Sequence, residues 1–158
     1  MKTKLGLFFI FSGILMILIS LAIISYNFYD EYKAYNNSHN MLNSLTETIK
    51  DDSTINSIPD YILNPQMDMP EVEINGQKCI GVLEIPSLKR SLPVISEWSY
   101  PKLKKSPCRY KGSVYQDNLI IMAHNYVSHF RKIGELKVGE KIILPMPIII
   151  FLNLRLWK

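Results

Sequence analysis

"KCIGVLEIPSLKRSLPVI", Lys78 to Ile95, carries the change of period on which the class of fold turns. Apolar residues alternate with polar or small ones through Lys78–Pro86, and Arg90–Ile95 forms a second short extended run. Moving outward, "NLIIMAH", Asn118–His124, is a third run, apolar throughout, and reads as a strand buried on both faces. The intervening "SEWSYPKLKKSPCRYKGSVYQD" reads as a short helix followed by turns, with Cys108 in a loop, and "GELKVGEKIIL" as a turn and another strand. Short strands joined by loops predict a mainly β domain of barrel or sandwich type.

The chain ahead of these strands is different. Of the 158 residues 47% are apolar, but much of that content lies in the uncharged run Leu5–Ile24, so the soluble part is smaller than the length suggests. The run matches the ~20 residues a helix needs to cross a bilayer and exceeds a cleavable signal core. Lys2 and Lys4 precede it and Asp30 and Glu31 follow. The expected topology is a single-pass transmembrane helix in the cell membrane, with a cytoplasmic N-terminus and an extracellular C-terminal part. Residues 1–25 are then the cytoplasmic tip and anchor, and 26–70 a juxtamembrane helix and linker. That helix carries Phe28, Tyr32, Tyr35, Met41, Leu42, Leu45 and Ile49 at helical spacing, with Asn36 and Asn37 as a candidate break. Its apolar stripe packs on the following domain or serves as a stalk. The β domain occupies 71–144.

A net charge of +4 does not make this a nucleic-acid binder, because the lysines are scattered and the domain is exported. The one cluster, Lys102, Lys104, Lys105, Arg109 and Lys111, reads as a solvated face. Cys79 and Cys108, on the outer side of the membrane, have the opportunity to pair; spacing alone leaves open whether they do.

His124 stands where the apolar run gives way to a loop, held by the sheet and open on one side. Two readings remain at this point: a strand-end cap that hydrogen-bonds locally, and a general acid or base, since imidazole titrates near neutral pH. A metal pair with His129 has neither the helical i, i+4 nor the strand i, i+2 spacing, and no metal or cofactor is expected. His39 reads as solvated.

The blocks "IGVLEIPSLKRSLPVI", "WSYPKLKKSPCRYKGS" and "NLIIMAHNYVSHFRKIGELKVGEKI" together resemble the front half of a sortase, class B-like or class D-like, over about Ile74 to Ile143. The resemblance implies a sortase-type β-barrel of eight strands, present here in part, and a cysteine transpeptidase that attaches surface proteins bearing an LPXTG-like sorting signal to the cell wall. It implies as partners the sorting-signal peptide, a cell-wall amine nucleophile and the lipid bilayer. In the family a cysteine forms a thioacyl intermediate, a histidine donates a proton to the leaving amine and an arginine steadies the oxyanion. His124 falls on the catalytic histidine; His129 and Phe130 fall in the loop that follows, as packing residues.

The family's cysteine and arginine lie further downstream, in segments that do not match anything here. Cys79 and Cys108 both precede the histidine, and the surroundings of Arg155 do not match the arginine motif. The tail 145–158, "PMPIIIFLNLRLWK", is aberrant for the family. Read one base earlier with A/T-rich codons it yields a polar turn and a strand-like run. The expectation is a frameshift close to Leu144 and a truncated, inactive chain; the competing expectation is a non-enzymatic, membrane-anchored binding or assembly protein with a partial β domain.

Overall fold

A computed structural model describes residues 2–51, 64, 66–144 and 153–154, in two compact units, Met1–Lys33 and Ala34–Lys158. The first unit is helical throughout its described length. It belongs to α1, Lys2–Asp51, which is long and apolar enough to cross a membrane. The large apolar side chains from Leu7 to Ile24 are all exposed. A core helix of a soluble domain would bury such a face; this one presents it outward.

The expected break at Asn36 and Asn37 is absent, and α1 runs through them. Asparagine in a helix interior costs only ~0.7 kcal/mol relative to alanine, and packing outweighs that. The buried stripe is Ala34, Ser38, Met41 and Leu45, spaced as one helical face. It lies around the helix from the tyrosines that the sequence pattern offered, since Tyr35 is 47% exposed.

The second unit is built on an open mixed sheet. Val72–Ile74 (β1) turns through Asn75 and Gly76 into Gln77–Ile85 (β2), with Ile74 paired to Gln77. Both turn residues have positive φ, as a two-residue Asn-Gly hairpin requires. A single 3₁₀ turn, Pro86–Leu88, leads into Arg90–Ile95 (β3), which pairs antiparallel with β2. A crossover containing the short helix Tyr100–Leu103 (α2) brings Cys108–Lys111 (β4) parallel to β3 through Ile95 and Cys108. Ile120–Met122 (β5) returns antiparallel to β4. Ile142–Ile143 (β6) joins the far half of β2 at Glu84, and Asn153–Leu154 (β7) pairs with β6. The strand order is β5-β4-β3-β2-β6-β7, with β1 beside β2. The sheet does not close on itself, so the described strands of the second unit form a partial barrel.

Three sequence expectations change in detail. The alternation in β2 is interrupted by a bulge between Cys79 and Gly81, which lets Cys79 and Val82 join one core and Ile80, Leu83 and Ile85 the other. Cys108 opens a strand rather than lying in a loop. The run Asn118–His124 supplies only a short strand, and Ile120 is 43% exposed rather than buried on both faces. Its apolar content suits a central strand, but β5 is an end of the sheet, with no partner on its outer edge among the described residues.

Two cores result. On one face Ile80, Leu83, Ile85, Leu92, Val94 and Leu144 pack together. On the other, Met41 and Leu45 of α1 cover Ile74, Cys79, Val82, Ile95, Leu103 and Cys108. The helix therefore packs on the sheet over this span instead of standing away as a stalk. Of the tail, 145–152 and 155–158 lie outside the described residues.

Candidate active site

His124 follows β5 by two residues, where the strand ends at the sheet edge. The main chain then folds back tightly: the amides of His129 and Arg131 donate to the Tyr126 carbonyl at 3.0 and 3.1 Å. Two arginines hold this turn from outside. Arg131 Nε donates to the Asn125 carbonyl at 3.3 Å, and Arg90, at the start of β3, donates to the Val127 carbonyl at 3.3 Å. The loop is thereby tied to its own end and to the sheet.

The His124 ring is half-buried among aromatics. It stacks on Tyr126 with centroids 3.9 Å apart and planes 18° from parallel, and meets Tyr100 of α2 edge-on at 6.1 Å. Its Nδ1 is buried without a hydrogen-bond partner among the described residues. Leaving such an atom unsatisfied costs about 1–3 kcal/mol. His129 is 1% exposed and meets the other side of the aromatic group, 5.3 Å from the Tyr126 centroid. Phe130 packs against the larger core. No group of three or more metal-ligating side chains occurs among the described residues.

Both cysteines are fully buried free thiols. Cys79 on β2 and Cys108 on β4 pair with the same residue of β3, Ile95. Two strand spacings place their Cα atoms roughly 9–10 Å apart, beyond the ~7 Å that a disulfide tolerates. Burial pushes the Cys79 thiol up to about 12, with the neighbouring Cys108 acting in the same direction. Burial also pushes Cys108 up to about 11, against the Lys102 ammonium and a main-chain hydrogen bond at Ser99. Each thiol donates to a carbonyl two residues back, Gln77 or Ser106. At neutral pH a thiol of pKa near 11 is thiolate in only about one molecule in ten thousand. Burial and the raised pKa both disfavour either thiol as a nucleophile.

The sequence pattern put His124 at a strand end, where the structure has it, but gave no sign of its aromatic neighbours. Tyr100 reaches it only through the β3–α2–β4 crossover, which no local pattern announces. Tyr126 lies only two positions beyond it in sequence. Arg155 lies outside the described residues.

Part of the chain is similar to known proteins. Sortase D of Bacillus subtilis (strain 168) is 33% identical over 66 residues, which make up 40% of this chain and 33% of that protein. Over that segment the chain is similar to a sortase. It spans about a third of the length of that curated sortase, and no family model matches it. Among solved sortases, the pilus-related sortase C of Group B Streptococcus aligns over 77% of this chain and 70% of its own, at 20% identity and a TM-score of 0.42. Clostridium perfringens sortase C with the C-terminal cell wall sorting motif aligns over 80% and 70%, at 20% identity and a TM-score of 0.39.

Proposed function

We propose that this chain is the membrane-anchored, histidine-bearing part of a sortase-type transpeptidase acting outside the cytoplasm. The observation that carries the reading is His124: a half-buried imidazole just beyond an open sheet edge, with one orphaned nitrogen. The reading divides the chain into the anchor to residue 25, the juxtamembrane helix and linker to 70, and the front of the barrel over 71–144. Lys2 and Lys4 ahead of the apolar run favour a cytoplasmic N-terminus. The Sortase D relative favours class D over class B.

In this reading His124 is the general acid. A thiolate attacks the carbonyl carbon of an LPXTG-like sorting signal, a carbon–sulfur bond forms, and the carbon–nitrogen bond breaks as His124 gives its proton to the leaving amine. A cell-wall amine then displaces the sulfur. Because Cys79 and Cys108 are buried and protonated, the thiolate comes from polypeptide beyond these 158 residues, together with the arginine that steadies the oxyanion. The 158 residues alone are inactive.

The test is a fluorogenic sorting-peptide assay on the full chain, alone and with a polypeptide bearing a sortase Cys–Arg segment, alongside the nucleotide sequence past the Lys158 codon. No turnover alone, with a Cys–Arg segment encoded in a shifted frame, is the expected result. Turnover by the chain alone that disappears in His124→Ala overturns the inactivity. A gene with nothing sortase-like downstream, and an amide-exchange-protected β unit, would instead favour the non-enzymatic assembly protein.

A further inference from the structure

A cavity of about 280 Å³ opens between the second half of α1 and the entry to β3. Its walls include Ser38 and His39 of the helix, Lys89, Arg90 and Ser91 at the strand entry, and Ser128 of the loop beyond His124. Lysine, arginine and several hydroxyls thus converge in a lining that contains no carboxylate. Ser38 is 4% exposed and sits on the face of α1 that packs on the sheet. Neither Lys89 nor Arg90 forms an ion pair among the described residues. Arg90 uses one guanidinium nitrogen on the Val127 carbonyl and keeps further donors.

The backbone supplies an independent observation. Lys89 has φ 52° and ψ 48°, in the left-handed region. The other non-glycine residues with positive φ among the described residues are Asn75 and Asp117, types whose short polar side chains tolerate it. Glycine would relieve the strain at 89 at no steric cost. A long cationic side chain held in a disfavoured conformation at a cationic cavity points to a use for its charge.

We propose that this cavity binds a phosphate group, as a monoester or diester, through Lys89, Arg90 and the serine hydroxyls. A tetrahedral oxyanion accepts hydrogen bonds from several directions, which suits donors arriving from a helix, a strand and a loop. A guanidinium fork and an ammonium are the usual charged partners for it. The cavity is smaller than the ~300–1,000 Å³ typical of sites for larger organic ligands, so a headgroup-sized ligand fits. A phospholipid headgroup and a soluble phosphate ester share this chemistry. The inference is independent of the sortase reading, although Arg90 braces, and Ser128 belongs to, the loop that follows His124.

The experiment places the full chain in phosphatidylcholine nanodiscs and titrates inorganic phosphate and glycerol 3-phosphate by calorimetry. A second arm replaces part of the lipid with phosphatidylglycerol and measures amide hydrogen exchange over Lys89–Leu92. Saturable binding of the free esters assigns a soluble ligand, and protection seen only with phosphatidylglycerol assigns a lipid. In either case Lys89→Gly weakens the effect about tenfold or more while the thermal midpoint holds or rises, because the strain is gone. Ser91→Asp, which sets a carboxylate at the exposed rim, weakens it at least as much. No effect in either arm, or binding that both variants leave unchanged, overturns the proposal.

Discussion

The imidazole of His124 lies against the Tyr126 ring, 3.9 Å between centroids and 18° from parallel. The stack fixes the plane of the imidazole where no hydrogen bond to Nδ1 does. Tyr126 is itself 6% exposed and its carbonyl closes the loop by accepting from His129 and Arg131. The histidine is therefore oriented by packing on a rigid turn.

That arrangement predicts a split between two substitutions of Tyr126. Tyr126→Phe keeps the stack and should cost at most ~1 kcal/mol, with the ring-current-shifted His124 signals retained in NMR spectra of the labelled chain. Tyr126→Ala removes it and should cost about 3 kcal/mol, with those signals moving to unstacked positions. Identical His124 spectra in the alanine variant would refute a packing-oriented imidazole.

The thiols predict a pH dependence of stability. Burial raises Cys79 to about 12 and Cys108 to about 11 from an ordinary 9.0, so the folded state holds its thiol protons more tightly than the unfolded state. Their contribution is fully present below about pH 9 and is lost as pH rises through 11 to 12. Urea midpoints should be insensitive to the thiols from pH 7 to 9 and fall above it, and less so in a Cys79→Ala, Cys108→Ala variant. Ellman's reagent at pH 8 should be inert toward folded chain and titrate both thiols after denaturation. Loss of both thiols that a reductant restores, the mark of an intramolecular disulfide, would contradict the separation of their Cα atoms.

Much of this architecture was open to sequence reading because it depends on local period. The alternation in β2 and β3 and the uncharged length of Leu5–Ile24 each report a burial pattern within one element. What escaped depends on partners remote in sequence. The run at Asn118–His124 is apolar enough for a central strand, and only the sheet order makes β5 an end. The face of α1 that packs is set by the sheet it meets, so Ala34 and Ser38 are buried while the larger Tyr35 is about half exposed. His124 could be placed at a strand tip from its neighbours in sequence, whereas Tyr100 enters its surroundings through a crossover.

The loop joining β4 to β5 predicts a glycine requirement. Gly112 has φ 82°, and a Cβ there would run into the main-chain carbonyl of Asn118, whose side chain meanwhile accepts from the Ser113 amide at 2.8 Å. Neither neighbour is a flexible chain end that can give way. Gly112→Ala should destabilise the β unit by about 1–3 kcal/mol, read as a lowered urea midpoint and faster amide exchange in β4 and β5. A stability equal to the parent would show that the close approach is not present in solution.

The last prediction separates the two stripes of α1. Leu45 is fully buried against the sheet and Met41 is 4% exposed, whereas Tyr32 is 65% exposed. Truncating Leu45 removes apolar area and leaves a cavity lined by Val82, Ile95 and their neighbours, so Leu45→Ala should cost about 2–5 kcal/mol. Tyr32→Ala removes more side chain but little packing, and surface changes of that kind stay within about 0.5 kcal/mol. Amide exchange in micelles reads both: Leu45→Ala should accelerate exchange in β2 and β3 together with α1 beyond Ala34, because one core joins them, and Tyr32→Ala should not. If Leu45→Ala left β2 and β3 protected as in the parent, α1 would contribute nothing to the sheet, and the second core would have to be stable without its helical cover.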